Sequence, residues 1–272
     1  MTYSKLLKRL TEIGVDAPNA EATEIVRSLV GKPREWCLAN RDAELPQEID
    51  SILQKRENGI PLQYILGKAW FYGNLFTVSP ACLIPQPDTE HCVSLSLKNL
   101  ENDSRLLDLC TGSGCIAISI LKENSNVRAS ALDISEPALE IAKFNAREHH
   151  VNDRIKFINA DVLNDNISGL IENADVIVSN PPYINSDVIA TLSSEVRHEP
   201  RIALDGGEDG MIFYRYFIKN LTKHMKPTAV MILEIGYDQS ERIEALCRES
   251  GINCRLHRDF GGNIRVAEIR VK

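Results

Sequence analysis

Leu106-Leu107-Asp108-Leu109-Cys110-Thr111-Gly112-Ser113-Gly114-Cys115-Ile116-Ala117 is the stretch on which the fold turns. An apolar run gives way to small residues and then to a second apolar run, the pattern of a strand, a tight turn and a helix start. Small residues at such a turn let a ligand approach the backbone, and the first N–H groups of the following helix point at it. The turn is no dinucleotide fingerprint, since Gly-x-Gly-x-x-Gly is absent, with Cys at 110 and Ala at 117. Nor is it a phosphate loop, for it lacks Gly-Lys-Ser/Thr.

Outward from this turn, residues 105–271 alternate strand and helix. Strands are expected at Arg105–Leu109, Ala129–Leu132, Ile155–Ile158, Val176–Ser179, Ala229–Glu234, Cys254–His257 and Arg265–Arg270. Helices are expected near 115–123, 136–149, 187–195, 209–225 and 238–250. That alternation predicts a doubly wound, mainly parallel seven-stranded sheet with right-handed crossovers. Upstream, Asp88 or Thr89 can cap a helix running to about residue 100. From Ile60 to Pro80 the period changes to two, with Gly73-Asn74 between two apolar runs, so a β-hairpin linker is expected over 59–80. Residues 1–58 read as a small helical bundle: Leu6, Leu7, Leu10 and Ile13, then Ile25, Val26, Leu29 and Val30, recur at helical spacing. The bundle carries no chemical motif, and its expected role is substrate recruitment. The chain therefore divides into 1–58, 59–80 and 81–272.

The chemistry lies at strand ends. Asp133 closes the second strand about twenty residues beyond the glycines, where an acid can accept both ribose hydroxyls of an adenosine. Alternatively it caps the following helix. The third strand runs into Asn159-Ala160-Asp161-Val162, where Asp161 can accept from an adenine amine or simply close a turn. An adenosine site without a phosphate loop points to S-adenosylmethionine. The fourth strand, Val176-Ile177-Val178-Ser179, is stopped by Asn180-Pro181-Pro182-Tyr183, because neither proline can donate to a ladder. Asn180 is thereby placed at the carboxyl edge of the sheet, where open α/β sheets bind ligands. Its amide, a proline carbonyl and the Tyr183 face suit recognition of a planar –NH₂. The same four residues can also be a plain strand-ending turn.

The turn at 108–117 with Val178-Ser179-Asn180-Pro181-Pro182-Tyr183-Ile184 resembles class I methyltransferases of planar nitrogen. Three further stretches narrow the resemblance: Pro61–Gly73, Leu83-Ile84-Pro85-Gln86-Pro87-Asp88-Thr89-Glu90, and Glu195–Gly210. In these the chain is similar to the PrmC (HemK) family, the peptide-chain release factor glutamine N5-methyltransferases. The resemblance implies methyl transfer from S-adenosylmethionine to the glutamine amide of the Gly-Gly-Gln motif of class I release factors. It implies a cofactor site at Cys110, Thr111, Gly112, Ser113, Gly114, Asp133, Asp161, Val162 and Asn180. Asn180, Pro181, Pro182 and Tyr183 hold the glutamine, with Asn180, Pro181 and Tyr183 as the catalytic set. Two positions depart from the family pattern: Cys110 stands where Gly is usual, and Gln86 where Arg is usual. An adenine N6-methyltransferase of DNA or rRNA and a non-catalytic S-adenosylmethionine-binding adaptor are the rival readings.

Composition agrees with a buried core, at 43% hydrophobic and 25% charged residues. The net charge is −7, and the first 75 residues balance ten bases against ten acids, so the whole deficit falls on the remainder. That balance is a poor match for a phosphate backbone, and no direct nucleic-acid partner is expected. No apolar stretch reaches the roughly 20 residues that span a bilayer. Residues 1–10 lack the apolar core of a signal peptide, and seven scattered cysteines suit reduced thiols. The expected compartment is the cytoplasm, and no metal ligation is expected.

Overall fold

The computed structural model describes residues 1–259 and 261–271. The chain forms two compact units, Met1–Lys68 with Ser193–His198, and Ala69–Leu192 with Glu199–Lys272.

The first unit is helical: α1 (Tyr3–Ile13), α2 (Pro18–Val30), α3 (Arg34–Ala39), α4 (Glu48–Glu57) and α5 (Leu62–Leu66). Thr2 caps α1 through its side chain, Pro18 opens α2, and Gly31 at φ +68° closes it. Leu6, Leu10, Ile25, Val26, Ile49 and Leu53 meet in its core. Here the sequence expectation needs correction. Residues 62–66 are one helical turn rather than strand, because Pro61 precedes its start and Gly67 at φ +69° ends it. The hairpin is confined to β1 (Lys68–Phe71) and β2 (Asn74–Thr77). Arg56 is only 2% exposed, and its guanidinium forks onto Glu21 at 2.8 and 2.9 Å while reaching Glu195 at 2.8 Å. Removing either carboxylate would leave a buried charge short of a partner.

The second unit carries α6 (Glu90–Asn99), β3 (Arg105–Leu109), α7 (Cys115–Glu123), β4 (Arg128–Asp133), α8 (Glu136–Glu148) and β5 (Ile155–Asn159). It continues with α9 (Ser168–Asn173), β6 (Val176–Ser179), α10 (Ile212–Lys219), β7 (Val230–Glu234), α11 (Ser240–Glu249), β8 (Asn253–Arg258) and β9 (Ile264–Arg270). The seven strands β3 to β9 lie in the order β5-β4-β3-β6-β7-β9-β8, parallel except for β9. Alternate residues feed two cores: Leu106, Val176, Val178 and Ile232 face one side, Leu107, Ile177, Met231 and Leu233 the other. The chain order reverses between β3 and β6, which makes their carboxyl ends the switch point.

Register levels those ends. Leu109 pairs with Leu132 and with Ser179, and Ser179 pairs with Leu233. The Ser179 hydroxyl donates to the Leu109 carbonyl at 2.7 Å, tying the two central strands at their tips. The residues that follow each tip therefore share one edge. Two helix expectations differ. Residues 187–195 form no α-helix, only a 3-10 turn at Ile189–Thr191, and the expected 209–225 helix is α10 followed by a 3-10 turn at Leu221–His224. The helix α9 was not anticipated, since six residues hold too few repeats to show a period. Among the described residues no helix is long and apolar enough to cross a membrane.

Candidate active site

After β3 the backbone turns left-handed at Cys110 (φ +59°), Gly112 (φ +55°) and Gly114 (φ +80°) before α7 begins. Gly112 N–H donates to Asp133 Oδ2 at 2.8 Å, and Ser135 N–H donates to Asp133 Oδ1 at 2.9 Å. Each carboxylate oxygen keeps acceptor capacity for another donor. Burial raises the Asp133 pKa, while these backbone N–H groups oppose the rise. The helix that follows is capped by the Ser135 hydroxyl instead, which accepts from Ala138 N–H at 3.2 Å. Thr111 donates to Asp108 Oδ2 at 2.6 Å, and burial pushes Asp108 up to about 7.

These groups wall a cavity of about 670 Å³, within the ordinary range for a small-molecule site. Cys110, Thr111, Gly112, Ser113, Asp133, Asp161 and Val162 line it. Leu132, Ile134, Ala160 and Phe213 add an apolar slot that suits a flat ring. A Cβ built on Gly112 meets no protein atom within 4 Å, so the missing side chain leaves room for a ligand beside the backbone. Gly114 does not line the cavity. A Cβ there would stand 2.9 Å from Ile118 and 3.1 Å from Ala142, so this glycine lets α7 pack closely on α8. Asp161 closes its own turn, accepting from Leu163 N–H at 2.9 Å and Asn164 Nδ2 at 2.6 Å, while also lining the cavity. An acid beside an open glycine backbone, with an apolar slot next to it, is a donor and acceptor set that fits S-adenosylmethionine.

At the end of β6, Asn180 and Pro182 line the same cavity, whereas Pro181 and Tyr183, expected to hold the substrate, do not. Asn180 Nδ2 donates to Thr89 Oγ1 at 3.0 Å, and Thr89 in turn donates to Glu234 Oε2 at 2.5 Å. Tyr183 OH donates to Glu234 Oε1 at 3.3 Å, and Tyr214 OH donates to the Glu234 carbonyl at 2.9 Å. Glu234 is 1% exposed, and burial pushes its pKa up to about 7 against the Thr89 bond and the Arg265 charge. The loop itself is clamped. Ile184 N–H donates to Leu204 O, Gly206 N–H donates to Ile184 O, and Gln239 Nε2 donates to Tyr183 O. A Cβ on Gly206 would come within 2.9 Å of Tyr183 Cα and the Pro182 carbonyl, so only glycine fits.

Thr89 and Glu234 escaped the sequence reading as site residues. Thr89 read as a helix cap, but it makes no capping bond, and its hydroxyl serves Asn180 and Glu234 instead. The available signal was Glu234 itself, an acid inside Met231-Ile232-Leu233-Glu234-Ile235, where a charge must be buried. Gln86 lines the cavity and its Nε2 donates to Ile84 O at 3.2 Å. Among the described residues no His, Cys, Asp and Glu cluster could hold a metal ion.

Sheet order, glycine turn and the acid at the end of β4 together define a class I methyltransferase, a class that uses S-adenosylmethionine as methyl donor. The solved catalytic domain of hMettl16, bound to a MAT2A 3'UTR hairpin, matches the fold with a TM-score of 0.57 at 18% identity, over 82% of this chain and 78% of that one. The family model "Methyltransferase small domain" matches residues 89–208, and "PrmC N-terminal domain" matches residues 3–67. The Release factor glutamine methyltransferase of Caulobacter vibrioides is 36% identical over 95% of this chain and 91% of its own length. The chain belongs to the release factor glutamine methyltransferase family. The Bifunctional methyltransferase of Rickettsia felis is also 36% identical, but the chain spans only 56% of that protein's length.

Proposed function

We infer that this protein transfers the methyl group of S-adenosylmethionine to the side-chain amide nitrogen of the glutamine in the Gly-Gly-Gln motif of peptide-chain release factors. The observation that carries the reading is Asn180, held at the switch point with its –NH₂ committed to Thr89 and its carbonyl oxygen left for a ligand. The bound cofactor supplies an electrophilic sulfonium methyl. Asp133 would accept from the ribose, the backbone at Thr111–Ser113 would hold the methionine end, and Asp161 and Val162 would border the adenine. Asn180 Oδ1 accepts one N–H bond of the glutamine amide, and a proline carbonyl of the same loop accepts the other. Two such acceptors polarise the N–H bonds and raise the nitrogen lone pair, so the protein's contribution is positioning and electrostatics, and the one amide proton that the methyl group replaces leaves past these acceptors to water. Tyr183 stiffens that wall through Glu234.

The helical unit recruits the release factor, a reading supported by its match to a family-specific N-terminal domain and by its lack of chemical groups. The same acceptor pair would also suit an adenine amine, so DNA and rRNA are the control substrates. Release factors act in the cytoplasm, and the free thiols of the described cysteines suit that compartment. The test is mass spectrometry of purified release factor, unmodified DNA and unmodified rRNA, each incubated with the protein and labelled cofactor. The expected result is one added methyl on the Gly-Gly-Gln glutamine alone. Label on nucleic acid with none on the release factor would overturn the reading.

A further inference from the structure

An asparagine amide is nearly symmetrical in shape but opposite in chemistry at its two ends, so its function depends on which end faces the ligand. The chain of bonds behind Asn180 fixes that choice. An ionised Glu234 is acceptor-only, and Thr89 lies 2.5 Å from its Oε2, so the single Thr89 proton belongs to that bond. Thr89 Oγ1 can then only accept. Its neighbour at 3.0 Å must be the Asn180 –NH₂, and Asn180 Oδ1 is left facing the cavity. The opposite orientation would set two lone pairs against each other at Thr89 and present a donor to a substrate –NH₂.

We propose that Thr89 and Glu234 are positioning residues for methyl transfer: the Glu234 carboxylate, through the Thr89 hydroxyl, holds the Asn180 carboxamide with Oδ1 toward the reacting nitrogen. The proposal rests on the glutamine-methylation reading above and deepens it. Protonated Glu234 can donate to Thr89, which frees the Thr89 proton for Asn180 Oδ1 and allows the flipped amide. The lock therefore holds only while Glu234 is ionised. The groups facing Glu234 are Arg265 from β9, Asp88, Thr89 and Cys92 from the segment around α6, Tyr183 after β6 and Tyr214 of α10. Arg265 favours the carboxylate, although Asp88 at 3.1 Å and Asp259 at 3.6 Å share its charge. Burial outweighs it and pushes Glu234 up to about 7, so the lock loosens as pH falls through that value.

The experiment compares the full-length protein with Thr89→Val and Glu234→Gln, both close in volume to the native side chains, and with Thr89→Ser, which keeps the hydroxyl and loses a methyl group. Single-turnover methylation of release factor at saturating cofactor should fall roughly 10-fold to 100-fold in Thr89→Val, the scale of a misplaced group. Thr89→Ser should restore most of the rate, and cofactor affinity by calorimetry should be the same in both. The wild-type rate should decline on the acid side of about pH 7, and Glu234→Gln should be slower and lack that decline. Without any substrate, the isotope-labelled side-chain amide signal of Asn180 should shift with the same pH midpoint in the wild type and stay fixed in Glu234→Gln. Wild-type turnover in Thr89→Val, or an Asn180 amide signal indifferent to pH, would overturn the proposal. Failure of the wild type to methylate release factor would instead overturn the substrate reading, while the Asn180 signal would still judge the relay.

Discussion

The two walls of the cavity are built differently. Between β3 and β4 the wall is made of backbone: Gly112 N–H and Ser135 N–H pin Asp133 over separations of 21 and 2 residues. Between β6 and β7 it is made of side chains: Asn180 reaches Thr89, and Thr89 reaches Glu234, across separations of 91 and 145 residues. A backbone wall is fixed by the fold, and most single side chains can change without moving it. A side-chain wall concentrates the chemistry in a few groups, each of which fails completely when truncated. The wall that binds is thus the robust one, and the wall that orients the acceptor is the fragile one.

The largest effect should come from the fragile wall. Asn180→Ala removes the only side-chain acceptor proposed for the glutamine amide, and the loss of one such group typically lowers the rate by ~10²–10³. Cofactor affinity should stay near that of the wild type, because Asp133 and the Gly112 backbone are untouched. Single-turnover rates alongside calorimetry separate the two quantities. Near-normal turnover would reduce Asn180-Pro181-Pro182-Tyr183 to a strand-ending turn, and the contrast between the walls would collapse.

That contrast also explains what the sequence could reveal. The strands β3 and β6 were legible to the residue, because β-branched and apolar runs stopped by Gly-rich or Asn-Pro punctuation carry their own boundaries. The backbone wall was legible for the same reason: Gly112 and Asp133 belong to one strand-turn-helix-strand unit. Asn180 was legible as the residue that ends β6. Its partners were not, since nothing local at Thr89 says that its hydroxyl turns away from the helix it precedes. Glu234 was visible only as an acid in an apolar strand. The stretch 187–195 misled because its apolar spacing imitates a helix, while the chain there runs through short turns. The sequence marks Cys110 only as a departure from the usual Gly, and the structure shows what that position requires, a left-handed φ of +59°.

A smaller loss is expected on the robust wall. Asp133→Ala leaves Gly112 and Ser135 N–H groups without their acceptor and removes the proposed ribose partner. Cofactor binding should weaken by about 1–3 kcal/mol, the usual cost of unpaired polar groups. The methyl-transfer rate at saturating cofactor should change little, the reverse of the Asn180→Ala pattern. Isothermal calorimetry on the variant checks the first expectation; unchanged affinity would remove Asp133 from the site.

The smallest effect sharpens the claim that backbone, more than side chain, makes the first wall. Cys110 holds a left-handed conformation that costs a non-glycine residue about 1–2 kcal/mol. Cys110→Gly relieves that cost, but the glycine is freer in the unfolded chain by about 0.5–1 kcal/mol. The side chain also packs against the second core, and losing a group of that size costs about 1 kcal/mol. The terms oppose each other, so thermal denaturation should show a stability change within about 1 kcal/mol. Cofactor affinity should stay close to that of the wild type, because the Gly112 N–H to Asp133 bond does not involve the thiol. A large fall in affinity would mean that the Cys110 side chain, rather than the path of the backbone, shapes the site after β3.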